Sequence, residues 1–293
     1  MIRNLLLSGG PGPDHDFAAT AEALAGVLGS RGETNADRAP SVDGHSVDRE
    51  LIDREMIETT IVMDPHAAFE QLDAAARDGA GFDLLTVNAL RWRMDAERYA
   101  ARRGDFAFSL GNSDLDAVEA HLGRGGGLLA VHTAAICFDA DARWHAMLGA
   151  SWNWQRSSHP PLGLVDVHVA DAGREHPITS ATSNFTVDDE IYTDLDTDLS
   201  CVALLTARPV RGVRSCNGGN SETHGGTEDN VRGAPVLWAR EHGGGRVVTH
   251  LLGHGVASIT NAHHALLIRS AALWAASGTS RGTSSRPQKS ETL

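Results

Sequence analysis

The chain has 293 residues, 41% hydrophobic and 22% charged, enough to bury a large core in an α/β domain. A formal net charge of -13 argues against nucleic acid and against an anionic membrane as partner, because both require basic patches. Cys137, Cys201 and Cys216 show neither CxxC nor regular spacing, so the expectation is a reduced, cytoplasmic protein with no disulfide framework and no zinc knuckle.

Residues 2–7 form a compact apolar run followed by Ser8-Gly9-Gly10-Pro11-Gly12-Pro13, which predicts a strand with a loop at its carboxyl end. A GxGxxG phosphate loop starting at Gly10 would need glycine where His15 stands, so no nucleotide cofactor is expected. Phe17, Ala21, Leu24, Ala25 and Leu28 recur at helical spacing, with Asp14 or Asp16 as cap, and this puts His15 at the helix entrance. Residues 31–54 are polar and aperiodic and read as a surface insertion.

Residues 57–63 predict a second strand. Pro65 then opens a helix carrying Phe69, Leu72, Ala75 and Ala76. Residues 82–87 predict a third strand ending at Asn88, with Arg91-Trp92-Arg93 in the loop beyond it. Leu115, Val118 and Leu122 mark a helix capped by Ser113 or Asp114.

Next comes Gly125-Gly126-Gly127-Leu128-Leu129-Ala130-Val131-His132-Thr133-Ala134-Ala135, the pattern of a buried strand ending in a sharp turn that lifts one side chain, His132, above the sheet. This β-α order predicts a parallel sheet covered on both faces, with ligands bound at the carboxyl ends of the strands.

In the second half, Trp144, Met147 and Leu148 suit a short helix, and residues 164–169 alternate like a half-exposed strand. Residues 185–192 are strand-like and end in Asp188-Asp189-Glu190, while residues 201–205 read as another strand. Residues 211–233 form a Gly-, Asn- and Ser-rich insertion. Residues 235–239 and 245–251 then make a hairpin that leads into Gly253-His254-Gly255. Leu266, Ile268, Ala272, Leu273 and Ala276 build a last helix, and residues 278–293 are expected to be a disordered tail.

His132 and His254 are candidate catalytic residues, as acid/base groups or metal ligands, with Glu190 as the carboxylate that would complete a two-His, one-carboxylate site. Candidate substrate-binding residues are His15 at the rim, Asn88, Trp92, Tyr192 and His264; Trp152 and Trp154 are further stacking candidates. His250 lies inside a strand and is expected to be a satisfied core histidine.

Several of these segments, in this order, resemble the trehalose-utilization (ThuA-like) family, a branch of the class I glutamine amidotransferase-like fold. They are residues 5–17 with SGG and HDF, 125–135 (GGGLLAVHTAA), 189–192 (DEIY), 235–239 (PVLWA), 246–254 (RVVTHLLGH) and Trp274. The resemblance spans residues 1 to about 277 and implies a link to the catabolism of disaccharides or oxidised sugars. It also implies loss of the amidotransferase triad, since His132 stands where an amidotransferase carries its nucleophilic Cys. Cys137 lies beyond that turn.

The expected architecture is one α/β, flavodoxin-like domain over residues 1–277: a mainly parallel sheet with helices on both faces and an antiparallel extension in the second half. The expected function is an enzyme acting on a small carbohydrate, a sugar hydrolase or isomerase assisted by a divalent metal (zinc, iron or manganese). The alternative is a non-catalytic sugar-binding or regulatory protein on the same scaffold. A homodimer is compatible with the sequence, and nothing in it demands one.

Overall fold

The computed structural model of the chain describes residues 1–11, 14–30, 55–210 and 233–278. The insertion expected at 31–54, that expected at 211–233 apart from Gly233, the tail expected at 278–293 apart from Gly278, and Cys216 lie outside the described residues.

The first half alternates strands and helices: β1 (Ile2–Gly9), α1 (Phe17–Gly29), β2 (Ile57–Val62), α2 (Pro65–Arg77), β3 (Leu84–Ala89), α3 (Ala100–Phe106), α4 (Asn112–Gly123) and β4 (Gly127–Val131). The second half holds α5 (Ala142–Leu148), β5 (Ala150–Ser151), β6 (Gly163–Val169), β7 (Phe185–Asp189) and β8 (Asp196–Thr197). It closes with β9 (Leu205–Pro209), β10 (Ala234–His242), β11 (Gly245–His250), α6 (Val256–Ile259) and α7 (Ala262–Ala276).

Among the described residues, nine strands form one sheet in the order β2-β1-β3-β4-β11-β10-β9-β6-β7. The strands from β2 through β11 are parallel, and from β10 outward each pairing is antiparallel. This is the flavodoxin-like α/β arrangement with an antiparallel extension.

Period-2 alternation sorts the core to two faces. Leu6, Leu129, Val131 and Val248 pack with Leu24 and Leu28 of α1 and with Ile268 and Ala272 of α7. Leu5, Leu7, Leu128, Ala130 and Val247 pack on the opposite face with Phe69 and Leu72 of α2 and Val118 of α4. Gly127 lets α7 lie directly on β4, since a Cβ there would come 2.5 Å from the Ala275 backbone.

Asp16 caps α1 by accepting from the Ala19 amide at 3.0 Å, and Asp64 caps α2 in front of Pro65. Three details differ from the sequence reading. Helix α4 begins at Asn112 behind Gly111, and Asp114 accepts from the Gly111 amide at 2.9 Å as the capping-box partner rather than as the cap itself. The strand expected over residues 201–205 lies instead at Leu205–Pro209, where β6 and β10 flank it. The polar segment Ala100–Phe106 is helical although no apolar stripe announces it; none of its residues is buried.

The far strands do not stay in the plane of the sheet. Four strand spacings separate β7 from β11, which in a flat sheet would be about 19 Å. Yet Asp189, at the carboxyl end of β7, accepts a 2.8 Å hydrogen bond from the amide of Gly253, just past β11. The sheet curls, and its last strand returns over the carboxyl ends of the parallel ones.

Candidate functional site

His132 follows β4 directly and opens a 3-10 turn, His132–Ala135, rather than an α-helix. Its φ of 49° is left-handed, a conformation that costs a β-carbon-bearing residue about 1–2 kcal/mol. The strained elbow presents the ring above the sheet, as the glycine-strand-histidine pattern predicts.

The ring is fixed at both nitrogens. Nδ1–H donates to the Leu251 carbonyl at 2.9 Å, so the Nε2 lone pair faces the cleft. There it meets the Tyr192 hydroxyl at 3.0 Å and His15 Nε2 at 3.3 Å.

His254 follows Gly253, whose φ of 125° and close approach to Val131 leave no room for a side chain. Glu190 closes the ring: its Oε2 lies 3.8 Å from His132 Nε2, and its Oε1 lies 3.5 Å from His254 Nε2. One ligand atom each from His15, His132, Glu190 and His254 lies within 4.8 Å of all the others. Donors roughly 2.1 Å from a tetrahedral ion sit about 3.4 Å apart, so three imidazoles and a carboxylate at these spacings suit a divalent transition metal.

Burial sets the protonation of the cluster. Desolvation, reinforced by the charges of neighbouring histidines, lowers the pKa of His15 to about 2. Desolvation first, then the charge of His254, lowers His132 to about 3. His254 is lowered by the same loss of solvent. All three rings are therefore neutral at physiological pH, the form that binds metal. Burial also pushes the Glu190 carboxyl up to about 8, helped by the charges of Asp189 and Asp14.

Asp189 holds two of the loops together. Its buried carboxylate accepts from the amides of Gly253 at 2.8 Å, His254 at 3.3 Å and Glu190 at 2.7 Å, and from the Ser258 hydroxyl. Behind it, the Ser258 hydroxyl lies 3.0 Å from His264 Nδ1, and His264 Nε2 lies 2.6 Å from His250 Nε2.

The structure thus brings His132, His254 and Glu190 together and moves His15 from the expected rim into the cluster. Tyr192 lies against His132. Trp92 is 7% exposed and packs with Tyr99 and Trp154. His264 is fully buried in the network behind Asp189, so its expected contact with substrate is replaced by a supporting position. Asn88 is also buried, donating to Thr20 Oγ1 at 3.0 Å between β3 and α1, because its side chain points into the helix-covered face. His250 is the satisfied core histidine expected. Sequence reasoning missed His159, 3.4 Å from Glu190 Oε1, and the anchoring role of Asp189. The alternation of β7 could have separated Asp189 from Glu190, whereas nothing local marks His159.

Cys137 cannot serve as the nucleophile lost from the elbow: it is fully buried, and desolvation raises its pKa. Among the described residues, no helix is long and apolar enough to cross a membrane.

A family model described as trehalose utilisation, ThuA, matches residues 108–275. In structure the chain is similar to a ThuA-like protein from Parabacteroides merdae, with 14% identity and a TM-score of 0.59 over 94% of this chain and 90% of that one. A ThuA-like protein from Bacteroides uniformis gives 16% identity and a TM-score of 0.56 over 94% of this chain and 91% of that one. The β-galactosidase of Rahnella sp. R3 contains a similar fold in 31% of its length, at 11% identity, a TM-score of 0.53 and 94% coverage of this chain. These likenesses concern the fold alone. No curated protein matches the sequence. The matched stretch covers more than half of the residues and contains the elbow, the Glu190 loop and the His254 loop, and on that ground the chain belongs to the trehalose utilisation (ThuA) family.

Proposed function

We propose that this protein is a carbohydrate-processing enzyme in which His15, His132, His254 and Glu190 hold a divalent metal ion. The observation that carries the reading is the convergence of four ligand atoms within 4.8 Å, three of them on buried or half-buried neutral imidazoles. The sugar assignment rests on the family, whose name concerns trehalose utilisation.

A bound ion would supply a water of lowered pKa and orient sugar hydroxyls. The Leu251 carbonyl keeps the proton of His132 on Nδ1 and thereby keeps Nε2 available. Glu190 supplies the negative charge that three neutral rings lack. With Nε2 engaged by an ion, the Tyr192 hydroxyl would have its proton free to donate to a substrate oxygen. His159 Nδ1 donates to the Pro160 carbonyl at 3.1 Å and lies 3.4 Å from Glu190 Oε1, which places the ring beside that carboxylate.

A second reading follows from Glu190 itself. With its carboxyl pushed up to about 8, it carries a proton at neutral pH when no cation is present and could act as a general acid without metal.

Metal analysis of chelator-free protein, wild type beside His132→Asn, tests the choice. Asparagine tolerates the left-handed φ and removes the ligand. About one equivalent of metal in the wild type and little in the variant supports the metal centre. No metal in either, after reconstitution with zinc, iron and manganese, overturns it in favour of the acid. Sugar-induced stabilisation without turnover on any sugar tried would support a binding protein instead.

A further inference from the structure

We propose that the aromatic surface beside the cluster is a second sugar subsite, so that the bound carbohydrate has at least two rings, one at the histidines and one over Trp154. The proposal deepens the carbohydrate reading and rests on it.

A run of ring contacts joins exposed Trp154 to the site through half-buried Trp152 and buried Tyr192. Tyr192 stacks on His132 with centroids 4.8 Å apart, and Trp152 meets Tyr192 edge-on at 5.3 Å. Trp154 lies 6.3 Å beyond Trp152 and 6.1 Å from Trp92, which in turn meets Tyr99 at 5.3 Å. Aromatics make up only 5% of the chain, yet this one run takes both tyrosines and three of the six tryptophans. Core packing does not explain its outer end. Trp154 is 38% exposed, and among the described residues it is the one aromatic ring in the exposed large hydrophobic set.

An exposed tryptophan forfeits about 25 cal/mol for each Å² of apolar surface left in water. This ring is nonetheless held in place. Its Nε1–H donates to Asp139 Oδ2 at 2.9 Å, and Asp139 Oδ1 accepts from the Arg93 amide at 3.0 Å. The Asp139 side chain is only 5% exposed, so the anchor is fixed. A flat ring kept in the open and locked by a buried carboxylate is preorganised for a flat, partly apolar ligand.

A pyranose is such a ligand: its C–H face lies on an aromatic ring, and its hydroxyl rim needs polar partners. An acidic ligand would meet the negative charge of the protein.

Isothermal titration with trehalose, maltose, cellobiose and glucose, on metal-reconstituted wild type, Trp154→Ala and Trp154→Phe, tests the subsite. At least one disaccharide should bind about tenfold more tightly than glucose, and Trp154→Ala should erase that advantage while Trp154→Phe keeps most of it. Metal content should be the same in all three proteins. Disaccharide binding untouched by Trp154→Ala overturns the subsite, as does the absence of any disaccharide preference. A metal-binding protein without that preference loses the subsite and keeps the metal centre; a metal-free protein with a Trp154-dependent preference does the reverse.

Discussion

The Nδ1 atom of His132 lies 2.9 Å from the carbonyl oxygen of Leu251, and because a carbonyl can only accept, this contact fixes which nitrogen carries the proton. Nitrogen NMR of the metal-free protein should therefore show His132 as the neutral Nδ1–H tautomer from pH 5 to 8, since burial lowers its pKa to about 3. An imidazolium signal from His132 at pH 6 would contradict the geometry.

His15 comes from the loop after β1 and faces His132 at 3.3 Å. Replacing it with alanine should weaken zinc binding by at least about 10–100-fold, the range seen even for residues that only support a ligand. Competition against a chelator of known affinity measures this. Unchanged affinity would return His15 to the rim.

Asp189, while buried, accepts three hydrogen bonds from two loops and a fourth from Ser258 of α6. Asp189→Asn turns an amide group toward N–H donors and should cost about 1.5–3 kcal/mol in denaturant unfolding. Metal affinity should fall with it, because the Glu190 and His254 loops lose their common anchor. A stability within error of wild type would show that Asp189 is dispensable.

The pH dependence of the metal-free protein should have two limbs. His15 and His132 have folded pKa values of about 2 and about 3, below their unfolded value of 6.5, so their contribution is present above pH 6.5 and is lost as the pH falls through that window. Glu190 runs the other way. Its folded pKa of about 8 lies above the unfolded 4.5, so its contribution is lost as the pH rises toward 8. Above pH 6.5 only the Glu190 limb remains of these three, with a slope of about 1.4 kcal/mol per pH unit. Glu190→Gln should flatten it, and urea unfolding at pH 6.5, 7.25 and 8 would show whether it does.

Native protein should resist alkylation at Cys137 and react there only after unfolding, because the thiol is fully buried and its pKa raised by desolvation. Peptide mass spectrometry after iodoacetamide treatment reads this directly. Rapid native modification would contradict that burial.

Local patterns made much of the fold legible. Glycine, an apolar run and a histidine located the elbow, and Gly253-His254-Gly255 after the hairpin located its neighbour. Long-range geometry stayed hidden. The curl that returns Asp189 to Gly253 belongs to the twist of the sheet and leaves no local mark, so the task of Asp189 stayed hidden even though the alternation of β7 sets it apart from Glu190. Asn88 and His264 share the strand-end and helix-start positions of functional residues, and side-chain direction alone made them structural. The strand over Leu205–Pro209 was misplaced because residues 201–204 are as apolar as those that pair.

The proposed ligand cluster draws on residues 15, 132, 190 and 254, each in the segment that follows a strand. Contacts at such sequence separation form late, since loop closure must precede them. No fragment ending before the returning strand contains the whole set, and an ion bound by all four would stabilise only the completed chain. If the four residues hold an ion as proposed, metal capture during synthesis or refolding would act as a proofreading signal, because a molecule holding the ion would already have joined its first strand to its last.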